Sequence, residues 1–283
     1  KNKENIIKKS SFLFNFVISK SLEVIHALIC IHAYNDEEIA ICKRDKNYKS
    51  FYEFVVIGSG PGGSITANIL NKNFPNRTLL LEKGEEFSKS NSKHSGNEFK
   101  HKWQNGGISS SLYPFQINFS SGSCLGGGSE INSGLYHEPD RVFINTWKES
   151  YQTVNFDFEN IEKYSQKIKD YLKPSIVKQN NLFEKKFESG AVNTKNDFQY
   201  IPRLSYRGQN TLSESTMLNT FLKDYENQKG EILTGVMIDK LKQNENGWSI
   251  EGSLDKKKFS VKCKYVFLCC GSIYTNSLLL KSL

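Results

Sequence analysis

One stretch constrains this chain more than any other: FVVIGSGPGGSITANIL, Phe54 to Leu70. Phe54–Ile57 is a continuous apolar run, as expected of a parallel strand covered on both faces. Gly58, Gly60 and Gly63 follow as G-x-G-x-x-G. The first glycine permits a tight turn, the second lets a pyrophosphate approach the backbone, and the third lets a helix pack close on the strand. The helix is expected over Ser64–Leu70, ended by Asn71–Pro75, and its first N–H groups would face the phosphates. The next apolar strand, Thr78–Leu81, ends in Glu82, 24 residues beyond Gly58, a spacing suited to a ribose-binding acid. A carboxylate there accepts hydrogen bonds from ribose hydroxyls. Strand, glycines, helix and acid together predict a dinucleotide-binding unit. NAD and FAD both carry ADP, so this unit alone does not separate them.

The rest of the chain has room for such a fold. At 283 residues, with 37% hydrophobic and 24% charged residues, it reads as globular, with one or two domains. The net charge of +8 comes almost entirely from scattered lysines. No basic patch is interleaved with aromatics, which argues against nucleic-acid binding. The six cysteines show no C-x-x-C spacing and are expected as reduced, packed thiols. No uninterrupted apolar run is long enough for a transmembrane helix. Residues 1–18 hint at a signal peptide, but Asn15, Lys20 and the lack of a small-residue cleavage site speak against it.

Residues 11–33 read as a helix with one narrow polar face, Asn15, Ser19, Glu23, His26 and Cys30, and apolar residues around much of the rest. Such a helix is expected to pack on the protein body or on a second subunit, with a membrane surface as the alternative. Residues 34–50 read as a short helix and linker. Residues 83–111 read mainly as loop, with His94 and His101 solvent-exposed. Helical patterns recur near 141–172 and 214–227. From Glu231 strands return, with a hairpin turn at Asn244–Gly247, where Asn and Gly tolerate positive φ.

A second glycine cluster lies in SGSCLGGGSEINSGLYHEPD, Ser121 to Asp140. Gly126–Gly128 are followed by Ser129, Asn132 and Gly134, with Leu125, Ile131, Leu135 and Tyr136 among them. Apolar residues embedded in glycines mark an ordered loop that approaches something closely rather than a flexible linker. At this point the chain resembles the glucose–methanol–choline family of FAD-dependent oxidoreductases, over about Tyr52 to Leu283. VVIGSGPGGSITANIL with LLLEKG resembles the family's ADP-binding unit. CLGGGSEINSG resembles its first signature. EILTGVMIDKLK with KYVFLCCGSIYTNSLLLKSL resembles the strand that passes the adenine and the second signature. The N-terminal extension and STMLNTFLKDY are most similar to the branch that oxidises long-chain alcohols.

The resemblance implies roles residue by residue. Gly58, Gly60 and Gly63 would hold the pyrophosphate, and Glu82 the adenosine ribose. Gly127, Gly128, Ser129 and Asn132 would lie along the pyrophosphate-to-isoalloxazine part of FAD. Ile238 would meet adenine through its backbone, or serve as an ordinary core residue. Gly271 and Ser272 would let backbone approach the cofactor again. Some relatives attach the flavin through a histidine of the first signature. Ile131 stands at that place here, which implies non-covalent binding at this signature. Asn276 stands where a proline is usual.

The implied chemistry is oxidation of a small-molecule alcohol by hydride transfer to flavin, reoxidised by oxygen or another acceptor. In the family the base is a histidine, paired with histidine or asparagine, in the C-terminal part. The chain stops at Leu283, inside the second signature, and is expected to lack that part. His137 in LYHEPD is the least implausible substitute, and no catalytic residue is named. The expected architecture is an α/β, Rossmann-like FAD-binding domain with a parallel sheet, formed by 51–139 and 231–283. A partly helical substrate-cap segment, 140–230, interrupts it, and a helical extension, 1–50, precedes it. Two rivals remain. A flavoprotein of another class, such as an NADPH-using monooxygenase, should carry a second nucleotide fingerprint, and none is present. A non-catalytic FAD-binding fragment is the other.

Overall fold

The computed structural model describes residues 40–42, 44–87, 96–107, 109–111, 117–152, 157–176, 178, 181–207 and 212–283, together with positions 18, 21, 22, 25 and 29. Most of the 11–33 stretch therefore lies outside the described residues, as does His94. The five positions within it are helical.

A six-stranded sheet forms the centre. Its strands are β1 (Phe51–Ile57), β2 (Thr78–Leu81), β3 (Glu231–Leu233), β4 (Val236–Asn244), β5 (Gly247–Leu254) and β6 (Lys257–Leu268). Their spatial order is β4-β5-β6-β1-β2-β3. β6, β1, β2 and β3 run parallel, with Val55 level with both Leu79 and Val266. β4, β5 and β6 form an antiparallel meander.

β6 shows how the pattern sets the pairing. Its first half alternates, burying Phe259, Val261 and Cys263 with lysine or serine between them, and pairs antiparallel with β5. Its second half, Tyr265–Leu268, is continuously apolar, and the parallel ladder with β1 runs from Lys262 to Leu268, with Tyr265 still exposed. One face of an antiparallel pair tolerates water, whereas a parallel strand in a layered sheet is covered on both sides.

Two cores flank the sheet, separated by the period of two along each strand. On one face Val55, Ile57, Leu79 and Leu81 pack with Ile250, Phe259, Val261 and Leu278. On the other, Val56 and Leu80 pack with Ala67, Leu125, Leu222 and Tyr225. The second core is closed by α1 (Pro61–Asn73), which starts three residues before the expected Ser64. Four further helices follow: α2 (Gly96–Lys102), α3 (Arg141–Tyr151), α4 (Phe158–Leu172) and α5 (Leu182–Asn193). After them α6 (Phe221–Asn227) packs beside α1. Asn68 and Asn71 of α1 donate to the carbonyls of Phe221 and Gln228, tying the two helices by polar contacts. The last helix, α7 (Gly271–Ser282), packs against β4.

Several expectations need correction. Of the short helix and linker expected over 34–50, residues 34–39 and 43 lie outside the described residues. Ile41–Cys42 instead pairs antiparallel with Glu86–Phe87, and Arg44 bonds Glu86 and Glu226. The 83–111 region holds α2 as well as loop, and His101 is half-buried against Phe87. The 141–172 pattern is two helices, opening on Asp140 and Asp157, whose carboxylates cap the N–H groups of Phe143 and Asn160. In 214–227 only α6 is α-helical, because Leu212–Glu214 pairs with Ser205–Arg207. The Asn244–Gly247 turn is in place, but of its residues only Gly247 has positive φ. Helices α3 to α5 add little to the core: Ile144 and Leu172 are their buried residues.

Gly63 fixes the packing of α1 on β1. A Cβ there would overlap the Gly58 carbonyl oxygen, whereas one on neighbouring Gly62 would meet nothing within 4 Å. Gly63→Ala is therefore expected to destabilise the protein by about 3 kcal/mol, and Gly62→Ala to be neutral or to stabilise by about 0.5 kcal/mol. Urea unfolding of both variants checks this; equal midpoints would contradict it.

Candidate functional site

The carboxyl ends of β6, β1 and β2 lie side by side at one edge of the sheet. Each ladder runs one residue past its strand: Cys269 N–H donates to Ile57, Gly58 N–H to Leu81, and Glu82 N–H to Leu233, at 2.8, 2.8 and 2.9 Å. Gly58 turns the chain at φ +100°, and a Cβ there would overlap the Cys269 carbonyl. α1 then begins with Gly60 as N-cap, no side-chain cap and no acid in the first turn. Its N-terminal N–H groups and partial positive charge are left for an anion.

Ser59, between the first two glycines, is the hub of the edge. It is fully buried. Its N–H and hydroxyl both donate to Glu82 Oε2, at 2.8 and 2.7 Å. Its hydroxyl oxygen accepts from Gly126 N–H at 3.0 Å, and its carbonyl accepts from the Ser64 hydroxyl. Glu82 also accepts from Gly84 N–H at 2.9 Å. Burial pushes the Glu82 carboxyl above its ordinary value, and these donors pull it back.

The Gly126–Gly128 loop sits directly on this turn. Gly126 and Gly127 have positive φ, and a Cβ on Gly127 would lie 2.9 Å from Gly60 Cα. The two glycine motifs therefore touch backbone to backbone. Beside that contact, a Cβ on Gly60 or Gly128 would meet nothing within 4 Å. The bare backbone of both motifs faces open space next to the start of α1.

The other expected residues fall around this centre. Ser129 is buried, and its hydroxyl donates to the Gly126 carbonyl and accepts from Met217 N–H, at 2.9 and 3.0 Å. Asn132 is exposed and accepts from Gly134 N–H. Ile131 is buried. Ile238, beside a bulge in β4, packs against the core. Two residues earlier, Val236 N–H donates to the Glu82 carbonyl at 3.0 Å. Gly271, at φ +79°, opens α7 with no side-chain cap, and Ser272 follows it, also exposed. His137 is exposed. The cysteines near the edge are free thiols, and burial pushes Cys270 up to about 11.

Two residues escaped the sequence reading. Ser59 is the variable position inside G-x-G and carries no periodic signal. Glu130 accepts from Leu218 N–H at 3.3 Å, and so ties the returning 216–218 segment to the glycine loop. Burial raises the Glu130 carboxyl from its ordinary 4.5, against hydrogen bonds and nearby Lys102. The folded state thus favours the protonated form. That contribution to stability is complete below the ordinary value and is lost as pH rises through the raised one. Glu130→Gln cannot titrate. As pH rises from the ordinary carboxylate range toward neutrality, the wild type should lose more unfolding free energy than this variant; parallel profiles would contradict the assignment.

The family model described as GMC oxidoreductase matches residues 99–282. An uncharacterised GMC-type oxidoreductase of Sinorhizobium fredii is 24% identical, over 81% of this chain and 48% of its own length. A long-chain-alcohol oxidase of Arabidopsis thaliana is 26% identical, over 83% of this chain and 34% of its own. The chain thus spans half or less of the curated relatives it matches. Among solved structures, pyridoxine 4-oxidase from Mesorbium loti has the same fold, with a TM-score of 0.62 at 16% identity, covering 82% of this chain and 52% of that one. Since the family model covers well over half of its residues, the chain belongs to the GMC oxidoreductase family.

Proposed function

We propose that this chain holds FAD at the carboxyl edge of its sheet and that the protein oxidises an alcohol, a CH–OH donor, by hydride transfer to the flavin. The contact of Gly60 with Gly127 carries the reading, because it joins two bare backbones beside an uncapped helix start. A dinucleotide diphosphate needs that combination: no side chain in the way, and free N–H groups with a positive dipole end. Gly58, Gly60 and Gly63 would hold the diphosphate, and Glu82 a ribose hydroxyl. Gly127, Gly128, Ser129 and Asn132 would follow the cofactor toward the flavin. Gly271 and Ser272 would close its middle, and the backbone of Ile238 would meet adenine. Ile131 offers no nucleophile, so binding at the first signature would be non-covalent. When bound, FAD supplies the hydride acceptor.

Residues 51–139 and 231–283 would form the FAD-binding domain, 140–230 the start of the substrate cap, and 1–50 an extension. The Arabidopsis relative, named a long-chain-alcohol oxidase, supports an aliphatic alcohol as substrate class. No residue of this chain is assigned as the base. The exposed Ile18, Leu22, Ile25 and Ile29 recur at helical spacing and support a peripheral lipid contact through residues 11–33. Leu22→Asp with Ile25→Asp should then abolish co-flotation with anionic vesicles; unchanged flotation, or none by the wild type, would oppose it.

Gly60→Ala tests the cofactor reading. Gly60 has φ −62°, which alanine adopts, and open space for a methyl group. The variant should keep its melting temperature, losing about 1 kcal/mol at most. Its affinity for FAD should fall by about tenfold or more, equivalent to about 1.4 kcal/mol. Unchanged FAD binding by the variant, or none by the wild type, would contradict the reading.

A further inference from the structure

The winding of the sheet changes sides between β6 and β1. β1 runs into α1, whose Ala67 lies in the second core, whereas β6 runs into α7, whose Leu278 lies in the first. Where neighbouring parallel strands send their helices to opposite faces, a crevice opens at their carboxyl ends, and ligands of α/β sheets bind there. Its two walls meet at the base: a Cβ on Gly58 would lie 2.4 Å from the Cys269 carbonyl oxygen.

Lys83 crosses this crevice. It follows Glu82 at the tip of β2, yet its ammonium lies 5.6 Å from the ring centroid of Tyr274, in the first turn of α7. In the strand order β6-β1-β2, that contact passes over the end of β1, from which the chain turns into α1. The same Nζ donates to Gln104 Oε1 at 2.8 Å. Both partners belong to segments that touch a glycine motif. Cys269 and Cys270, which lead into α7, abut Gly58. Gln104 N–H donates to the Ser121 carbonyl at 2.9 Å, and a Cβ on the next residue, Gly122, would lie 2.5 Å from the Gly127 carbonyl oxygen.

These contacts hold the ammonium without neutralising it. An amide oxygen and an aromatic face carry no charge, and the amide takes one of three ammonium donors. The direction of the side chain selects the group it would meet. Lys83 leans from β2 over β1 toward β6, not toward β3. A diphosphate at the start of α1 lies on that side.

We propose that Lys83 is a cofactor-binding residue that supplies a side-chain positive charge to the diphosphate, with Gln104 and Tyr274 holding its ammonium over the crevice. The proposal rests on the dinucleotide reading above and deepens it, by adding a cation to a site otherwise built from backbone.

The probes are ADP and adenosine, which differ by the diphosphate, titrated at low and high salt. Lys83→Met keeps an unbranched stem without the charge. It should weaken ADP binding about fivefold, the scale of an exposed charge pair, and leave adenosine unchanged. Its ADP affinity should also fall less with salt than that of the wild type, because one screened pair is gone. Lys83→Arg keeps the charge and can keep the ring contact, and should bind ADP within about twofold of the wild type. Unchanged ADP affinity in Lys83→Met, or equal losses for ADP and adenosine, would overturn the proposal and leave the dinucleotide site standing. Failure of the wild type to bind ADP would overturn the dinucleotide reading and the proposal with it.

Discussion

The buried carboxylate of Glu82 organises the working edge of this protein. A charge at the tip of a central strand is unfavourable unless donors surround it. Here they come from the turn after β1, through Ser59, and from the turn after β2, through Gly84. The Glu82 backbone adds two more ties, donating to Leu233 and accepting from Val236. One residue thus joins β1, β2 and the β3–β4 turn. It reaches the second glycine motif through the Ser59 hydroxyl.

The glycines act on that frame by subtraction. At Gly63 the missing Cβ lets α1 settle on β1, and at Gly127 it lets one loop lie on another. These contacts leave Gly60 and Gly128 facing open space, so close packing on one side produces bare backbone on the other. Ser129 and Glu130 then fasten the returning 216–218 segment to the same loop. Leu222 and Tyr225 add apolar contact to these ties, sharing the second core with Val56 and Leu80.

Much of the central sheet was legible because its strands declare themselves by pattern. Thr78–Leu81 matches its expected bounds, and continuous apolar runs mark the parallel strands. The turn with positive-φ glycines was also legible, because few residues other than glycine accept it. What escaped were features fixed by distant partners. The Ile41–Cys42 strand exists because Glu86–Phe87 lies opposite, and the helix expected from 214 gives way to a hairpin. Ser59 and Glu130 gave no local sign, since their importance lies in hydrogen bonds to residues 23 to 88 positions away. Periodicity reports burial, but it is silent on which polar group meets which.

The most direct measurement is a crystal structure of the protein grown with FAD. The account predicts the diphosphate at the start of α1, between the bare backbones of Gly60 and Gly128, with a ribose hydroxyl on Glu82. A diphosphate bound elsewhere, or a Glu82 carboxylate that touches no part of the cofactor, would contradict it.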